Sequence, residues 1–296
     1  MRILIIGGSG LIGSELTIEL SKKHDVVYTF NKNRVNLGNF KCVKLDITHR
    51  EALLKLAKDV KPDLVVNTTA VKSVDQCETD KKMAYKVHVE GTKNVLDACL
   101  EINTKIIYIS TAFVFDGKKD IYYETDLANP INYYGKTKLE AENLIIESGV
   151  PFLIVRTDQL YGWCKEGQKE NEVVRAWKSL KVGKPFETIL DWYNTPTLVY
   201  NAVEVIKTLI DGNKEGIYHV VGSDYVSRYE CILKVADIFG FDKNLVKYKK
   251  STGMNLPAKR PNVRLSNEKV EKETGIRLLG IGEGLKFMYK KLGNYD

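Results

Sequence analysis

The sequence predicts an α/β chain organised on a doubly wound parallel sheet, with a smaller, mainly C-terminal unit beside it. Three observations predict this. Residues 2–6 are a continuous apolar run, the pattern of a parallel strand buried on both faces. Glycines at positions 7, 10 and 13 follow at once and lead into a stretch carrying Leu16, Ile18 and Leu20. Strand-like and helix-like segments then alternate to about residue 156, and a right-handed parallel sheet is the natural way to pack such a series.

Composition narrows the class. The 296 residues suffice for one large or two medium domains, and 44% hydrophobic with 28% charged residues suits a soluble globular protein. No apolar run reaches the roughly 18 residues that span a bilayer. Arg2 is followed directly by Ile3-Leu4-Ile5-Ile6, unlike a signal peptide, so a cytoplasmic location is expected. Cysteines 42, 77, 99, 164 and 231 form no C-x-x-C pair, and histidines 24, 49, 88 and 219 show no metal-binding spacing. Neither a disulfide framework nor a metal centre is expected. The net charge of +7 comes from basic residues interleaved with acids. That pattern predicts a solvated surface and no nucleic-acid groove, and it suits an anionic nucleotide ligand.

The first element is therefore a strand over 2–6. Gly7, Ser9, Gly10, Leu11, Ile12 and Gly13 then lie between strand and helix, where glycines let backbone amides approach a pyrophosphate. The helix N-terminus adds partial positive charge. This is a Rossmann-type dinucleotide site. Residues 26–30 read as the second strand. An acid at its end would bind a ribose hydroxyl and a base would accept a 2′-phosphate. The chain offers Asn31, Lys32 and Arg34 with no carboxylate, which predicts NADP(H) as the preferred cofactor and leaves NAD(H) as the alternative.

Residues 42–45 form a short third strand, and Asp46-Ile47 after it are candidates for the adenine edge. Thr48 is the expected N-cap of a helix to about Val60. Residues 64–67 make the fourth strand, after which Thr69 and Ala70 pass beneath the cofactor. A helix is expected over about 79–99. The fifth strand, 105–109, ends in Ser110-Thr111, at the edge where open α/β sheets bind ligands. A loop over 112–133 leads to a helix opened by Tyr134, with Lys138 four residues on and on the same face. A nearby ammonium favours phenolate, so this pair is expected to make an acidic tyrosine. The sixth strand is 152–155, followed by Arg156.

Beyond it the alternation loosens. Residues 157–196 mix glycines, prolines and aromatics. A helix over 199–211 and a strand over 217–221 return to the sheet. Ser227 caps a further helix, 240–265 reads as loop, and Ser266 caps a last helical region. The expected division is a cofactor unit of residues 1–156 plus 197–221 and a substrate unit of 157–196 plus 222–296.

Tyr28/Lys32 and Tyr161/Lys165 share the Tyr134/Lys138 spacing, but only Tyr134 opens a helix directly after the Thr111 strand. The order of glycines, Ser110-Thr111 and Tyr134/Lys138 resembles the extended short-chain dehydrogenase/reductase family over nearly the whole chain. Residues 108–117, 134–140, Arg156-Thr157, 191–197 and 258–261 look specifically like the dTDP-4-dehydrorhamnose reductases. They look equally like the non-enzymatic regulatory beta subunits of methionine adenosyltransferase. The resemblance implies an NADP(H)-dependent reduction of a nucleotide-linked 4-keto-6-deoxy sugar. Thr111 would bond the substrate carbonyl, Tyr134 would donate the proton, and Lys138 would hold the nicotinamide ribose. Ala112 and Arg260 would touch the nucleotide sugar, and a homodimer stays open as the assembly. Ala112-Phe113 stands where the reductases typically have Asp-Tyr, and Gln159 where they often have tryptophan. These departures bear on the substrate more than on the chemistry.

Overall fold

The structure, a computed structural model, describes residues 1–294. Seven parallel strands form the central sheet: β1 (Arg2–Ile6), β2 (Asp25–Phe30), β3 (Lys41–Lys44), β4 (Leu64–Asn67), β5 (Lys105–Thr111), β6 (Phe152–Thr157) and β11 (Gly216–His219). Their spatial order is β11-β6-β5-β4-β1-β2-β3. The order reverses between β1 and β4, and such a switch point is where doubly wound sheets bind ligands.

Side-chain alternation explains why both faces are covered. Ile3, Ile5, Leu64, Val66, Ile107, Ile109, Leu153 and Val155 enter one core, with α1 (Leu11–Leu20) and α8 (Val199–Asp211) packed over it. Leu4, Ile6, Val65, Ile106, Tyr108 and Ile154 enter the opposite core. Above them lie α2 (Arg50–Val60), α5 (Gly91–Glu101) and α6 (Tyr133–Glu147). Each fully buried Leu, Ile or Val on these strands contributes about 1.5–3 kcal/mol relative to exposure.

A third core gathers Tyr161, Trp163, Val174, Trp177, Ile232, Val235 and Leu285. Its walls are α7 (Glu172–Lys181), α9 (Arg228–Phe239) and α11 (Ile281–Lys290), with the parallel pair β8 (Phe186–Ile189) and β13 (Val246–Lys249) alongside. The short strands β7 (Leu160–Tyr161) and β10 (Thr197–Leu198) pair in parallel, while β9 (Tyr193–Asn194) and β12 (Val226–Ser227) pair antiparallel. No described helix is long and apolar enough to cross a membrane.

Several local expectations are corrected. Thr48 does not cap α2: His49 is the N-cap and makes no side-chain cap, because the Thr48 hydroxyl donates to Asp46 Oδ1 at 2.8 Å. The helix expected over 79–99 runs unbroken from Lys81 to Glu101, as α4 (Lys81–Tyr85), a π turn Lys86–Glu90, and α5, and a separate short helix, α3 (Val74–Thr79), precedes it. Asp80 separates α3 from α4, its carboxylate accepting from the Met83 amide at 3.0 Å. The segment 240–265 contains β13, which its alternating Val246 and Tyr248 with lysines did not announce. At α10 (Glu268–Thr274) the N-cap is Asn267, although Ser266 Oγ accepts from the Glu268 amide at 3.3 Å. Ser227 does cap α9, in a reciprocal box with Glu230 at 3.1 and 2.8 Å.

Candidate active site

The glycine loop is shaped by close approach. Gly7 has φ +83°, and a Cβ there would lie 2.9 Å from Thr68 Oγ1. At Gly13 a Cβ would lie 2.6 Å from the Gly7 carbonyl oxygen, so α1 could not rest on the loop. The Gly10 amide donates to Gly7 O at 3.0 Å and closes the turn. Thr68 Oγ1 donates to Ile6 O and Gly7 O, both at 3.0 Å, and ties the end of β4 to the loop. Ser9, Leu11 and Ile12 complete the turn, Leu11 and Ile12 anchoring it in the core. Gly10 leaves the α1 N-terminus open, with no side-chain cap and no acid in the first turn. Free amides, an unopposed helix dipole and no side chain in the way fit a dinucleotide pyrophosphate.

Thr69 donates to Asn67 Oδ1 through its amide at 3.0 Å and its hydroxyl at 2.6 Å, and half-buried Ala70 follows. Asn31, Lys32 and Arg34 are exposed beyond β2. Folding brings a carboxylate to them. Burial pushes the Asp46 carboxyl up, but bonds from the Thr48 amide, the Thr48 hydroxyl and Asn31 outweigh this and hold it below the usual range. Ile47 is turned into the core against Gly91, so its side chain offers nothing to a ligand.

Thr111 ends β5 and accepts the Phe113 amide at 3.2 Å, starting a 3₁₀ turn over Ala112–Val114. Opposite this turn α6 begins, capped by Asn132, whose Oδ1 accepts the Gly135 amide at 2.8 Å. Tyr134 thus meets Thr111, its ring edge-on to Phe113 at 6.2 Å and to His88 at 5.5 Å. Burial pushes the Tyr134 phenol up to about 12; the Thr111 hydroxyl opposes this, and Cys77 and Asp158 add to it.

The expected acidic tyrosine is therefore not found. Lys138 is 1% exposed, and its Nζ donates to the Ile109 carbonyl oxygen at 2.7 Å while sitting 3.9 Å from the Tyr108 ring centroid. Burial pushes its pKa down to about 7, against the raising influence of Glu142 and Cys77. Same-face spacing put Lys138 near Tyr134 along the helix, but the strand backbone took the ammonium.

The other equally spaced pairs are structural. Tyr28 is buried with its hydroxyl on Val35 O at 3.0 Å, and Tyr161 is buried against Gly284. Two residues expected to touch substrate are also engaged elsewhere. Ala112 is fully buried in a small cluster with Val114, Phe115 and Tyr122. Arg260 donates to Asp75 at 2.6 Å and to Ala258 O at 2.7 Å, and lies 5.0 Å from the Trp192 ring. No group of three or more His, Cys, Asp or Glu among the described residues could hold a metal.

Residues 1–294 match the RmlD substrate binding domain family. The chain belongs to this family. It is 31% identical to a dTDP-4-dehydrorhamnose reductase of known structure from Clostridium acetobutylicum ATCC 824, with TM-score 0.85, covering 99% of this chain and 100% of that one. A dTDP-4-dehydrorhamnose reductase from Bacillus anthracis str. Ames in complex with NADP is 25% identical with TM-score 0.87, over 98% and 99% of the two chains. Methionine adenosyltransferase 2 subunit beta of Mus musculus is 28% identical over 97% of this chain and 84% of that protein.

In this RmlD-family chain, His88, Glu142, Gly135 and Asp158, to which pattern reasoning gave no role in the site, shape the surroundings of the tyrosine. His88 sits on the π turn, a helix defect common at functional sites. Its Nε2 accepts the Val71 amide at 2.8 Å, so Nδ1 carries the proton toward Thr137 Oγ1, also at 2.8 Å. Thr137 donates in turn to the Tyr133 and Tyr134 carbonyls, each at 3.0 Å. Burial lowers the His88 pKa to about 3, with Lys138 adding to the effect, so the ring stays neutral. Glu142 is fully buried, pairs with Arg156 at 2.7 Å, and accepts the Ser110 hydroxyl. Gly135 is required because a Cβ there would lie 2.0 Å from the Phe113 carbonyl oxygen. Asp158 is buried and accepts the Thr195 amide at 2.8 Å, fixing the segment beyond β9. Sequence signalled only part of this: Asn132 three residues before Gly135 is a readable cap, whereas the Glu142–Arg156 pair needs the sheet to exist.

Proposed function

We propose that this chain is an NADP(H)-dependent reductase of a nucleotide-linked 4-keto-6-deoxy sugar, of the dTDP-4-dehydrorhamnose reductase type. The observation that carries the proposal is the meeting of Thr111 and Tyr134 at the carboxyl end of β5, two strands from the glycine loop. Similarity to reductases over nearly the full chain supports the reaction class. The NADP-bound relative and the exposed Lys32 and Arg34 support the cofactor, although Asp46 near Asn31 keeps NAD(H) in view.

When bound, the nicotinamide supplies the hydride. The residues of this chain supply the rest. Tyr134, protonated at neutral pH, donates its proton to the oxygen of the substrate carbonyl, and the Thr111 hydroxyl bonds the same oxygen and orients it. Lys138 holds the nicotinamide ribose, for which it must leave the Ile109 carbonyl. The division into a cofactor unit (1–156 plus 197–221) and a substrate unit (157–196 plus 222–296) is part of this reading. It is supported by the third core, which draws almost entirely on the second set of residues.

Incubation with NADPH and dTDP-4-dehydrorhamnose is expected to consume the cofactor stoichiometrically with the sugar. Absence of turnover with this and related keto-sugars, in a preparation that binds NADPH, would overturn the proposal.

A second reading is a cofactor-binding regulatory subunit like those of methionine adenosyltransferase. Burial of Ala112 and the engagement of Arg260 with Asp75 favour it, since both residues were expected at the substrate. Co-purification with a methionine adenosyltransferase catalytic chain, together with a changed rate for that enzyme, would select it.

A further inference from the structure

Asp158 follows the last residue of β6, and the reductase reading gives it no task in the chemistry. Thr157 is the register partner of Thr111, so Asp158 stands one residue beyond that pair. The offset is about 4.8 Å between strands and about 3.3 Å along one, the scale of a single sugar ring. The charge of Asp158 acts on Tyr134 and on Tyr225, whose ring meets that of exposed Tyr193 at 5.5 Å. The carboxylate therefore adjoins both the proton donor and the aromatic edge of the substrate unit. Gln159, next in the chain, has φ +32°. That backbone is rare without glycine, and strain of this kind gathers at ligand sites.

Asp158 is 6% exposed, and its two oxygens are unevenly satisfied. Oδ2 accepts the Thr195 amide at 2.8 Å, the Thr195 hydroxyl at 3.2 Å and Asn194 Nδ2 at 3.3 Å. Oδ1 has only the long approach of that same Asn194 group, at 3.4 Å. Among the described residues no cation forms an ion pair with it. Arg228, whose charge does reach it, is engaged with Glu172 at 3.3 Å, with Asn194 Oδ1 at 3.4 Å and over the Trp192 ring at 4.9 Å. Burial pushes the Asp158 carboxyl above the usual range, against the bonds from Thr195 and Asn194. A buried carboxylate oxygen with acceptor capacity to spare is completed by a hydroxyl donor.

Resting on the reductase reading, we infer that Asp158 is a specificity-determining residue whose Oδ1 accepts the sugar hydroxyl next to the reacting carbonyl. Thr111 and Tyr134 hold the carbonyl oxygen, and Asp158 reads the neighbouring position of the ring. A keto-sugar with hydrogen in place of that hydroxyl leaves the buried carboxylate oxygen without its donor and is rejected for that reason.

The test compares NADPH oxidation by the full chain with dTDP-4-dehydrorhamnose and with its analogue lacking the hydroxyl beside the carbonyl. Wild type is expected to favour the parent sugar by at least about tenfold in kcat/KM. Asp158→Asn keeps the shape and an acceptor for the Thr195 amide, but turns an amide group toward the sugar. It is expected to lower kcat/KM for the parent by at least about tenfold and to bring the two sugars within about threefold of each other. The NADPH dissociation constant and the thermal unfolding of the variant serve as checks on its fold. Asp158→Ser, whose hydroxyl is too short to reach the sugar, is the second variant and carries the same expectation. An equal loss with both sugars, the preference being kept, overturns the inference and leaves Asp158 as a brace for residues 193–195. So does a wild type that does not distinguish the two sugars, a result read without any variant. A wild type that binds NADPH and reduces no keto-sugar overturns the reductase reading, and the inference with it.

Discussion

Lys138 Nζ donates to the Ile109 carbonyl oxygen at 2.7 Å, two residues before Thr111 on the same strand. The ammonium therefore braces the end of β5 against α6, and the Tyr134 phenol is left at about 12. The site is assembled around its tyrosine without the charge that would acidify it.

This bond has a pH signature. The folded Lys138 pKa is about 7, below its ordinary value of about 10.5. Between those values the unfolded chain binds the extra proton. Burial of the charge therefore costs stability below pH 7, and the cost is relieved as pH rises toward 10.5. Lys138→Met removes this dependence. The stability difference between wild type and variant, measured by urea unfolding from pH 6 to 10, is expected to move in favour of wild type. Its slope would approach about 1.4 kcal/mol per pH unit inside the window. A flat difference would show that Lys138 does not lose its proton there.

Tyr134→Phe is expected to lower the rate of keto-sugar reduction by at least about a hundredfold, since a positioned proton donor contributes on that scale. The NADPH dissociation constant should remain within about twofold. A variant that turns over at the wild-type rate would remove Tyr134 from the chemistry.

The Glu142–Arg156 pair is nearly inaccessible to solvent, and breaking one side leaves the other charge buried alone. Arg156→Met or Glu142→Gln alone is expected to cost about 3–5 kcal/mol in chemical denaturation. The double variant should cost clearly less than the sum, because neither charge remains. Additive losses would mean that the two side chains act independently.

His88 and His219 are both buried, with pKa values lowered to about 3 by desolvation. The unfolded chain takes up protons at about 6.5, so each histidine drains stability as pH falls from there toward 3. His88→Gln is expected to flatten the acid limb of a stability–pH curve. At neutral pH it should cost about 1–3 kcal/mol if the Val71 amide loses its acceptor. An unchanged acid limb would show that His88 is not a neutral buried base.

Gly135→Ala places a methyl 2.0 Å from the Phe113 carbonyl oxygen. Because backbone cannot yield as a side-chain tip can, α6 must shift away from Thr111. Reductase activity is expected to fall by more than tenfold while the far-ultraviolet circular dichroism stays that of an α/β protein. Full activity would show that the Thr111–Tyr134 approach tolerates the shift.

The sheet and its glycine loop were legible in the sequence because their causes are local. Alternate residues of a strand must face opposite cores, and glycines between a strand and a helix mark the close approach that Gly7 and Gly13 make. Tyr134 was legible for the same reason, as a first-turn residue of the helix after Thr111. The partners of these residues were decided in three dimensions. Residue spacing brought Lys138 alongside Tyr134, but a carbonyl on β5 was the nearer acceptor. Asp46 reached Asn31, Arg260 found Asp75, and Glu142 met Arg156, across 15, 185 and 14 positions of chain, only through the packed sheet. By itself, then, the sequence determined the elements, their order and the residues able to do chemistry. Tertiary structure decided which of those polar groups remain free, because a buried donor or charge takes the partner that the surrounding strands and helices bring within reach.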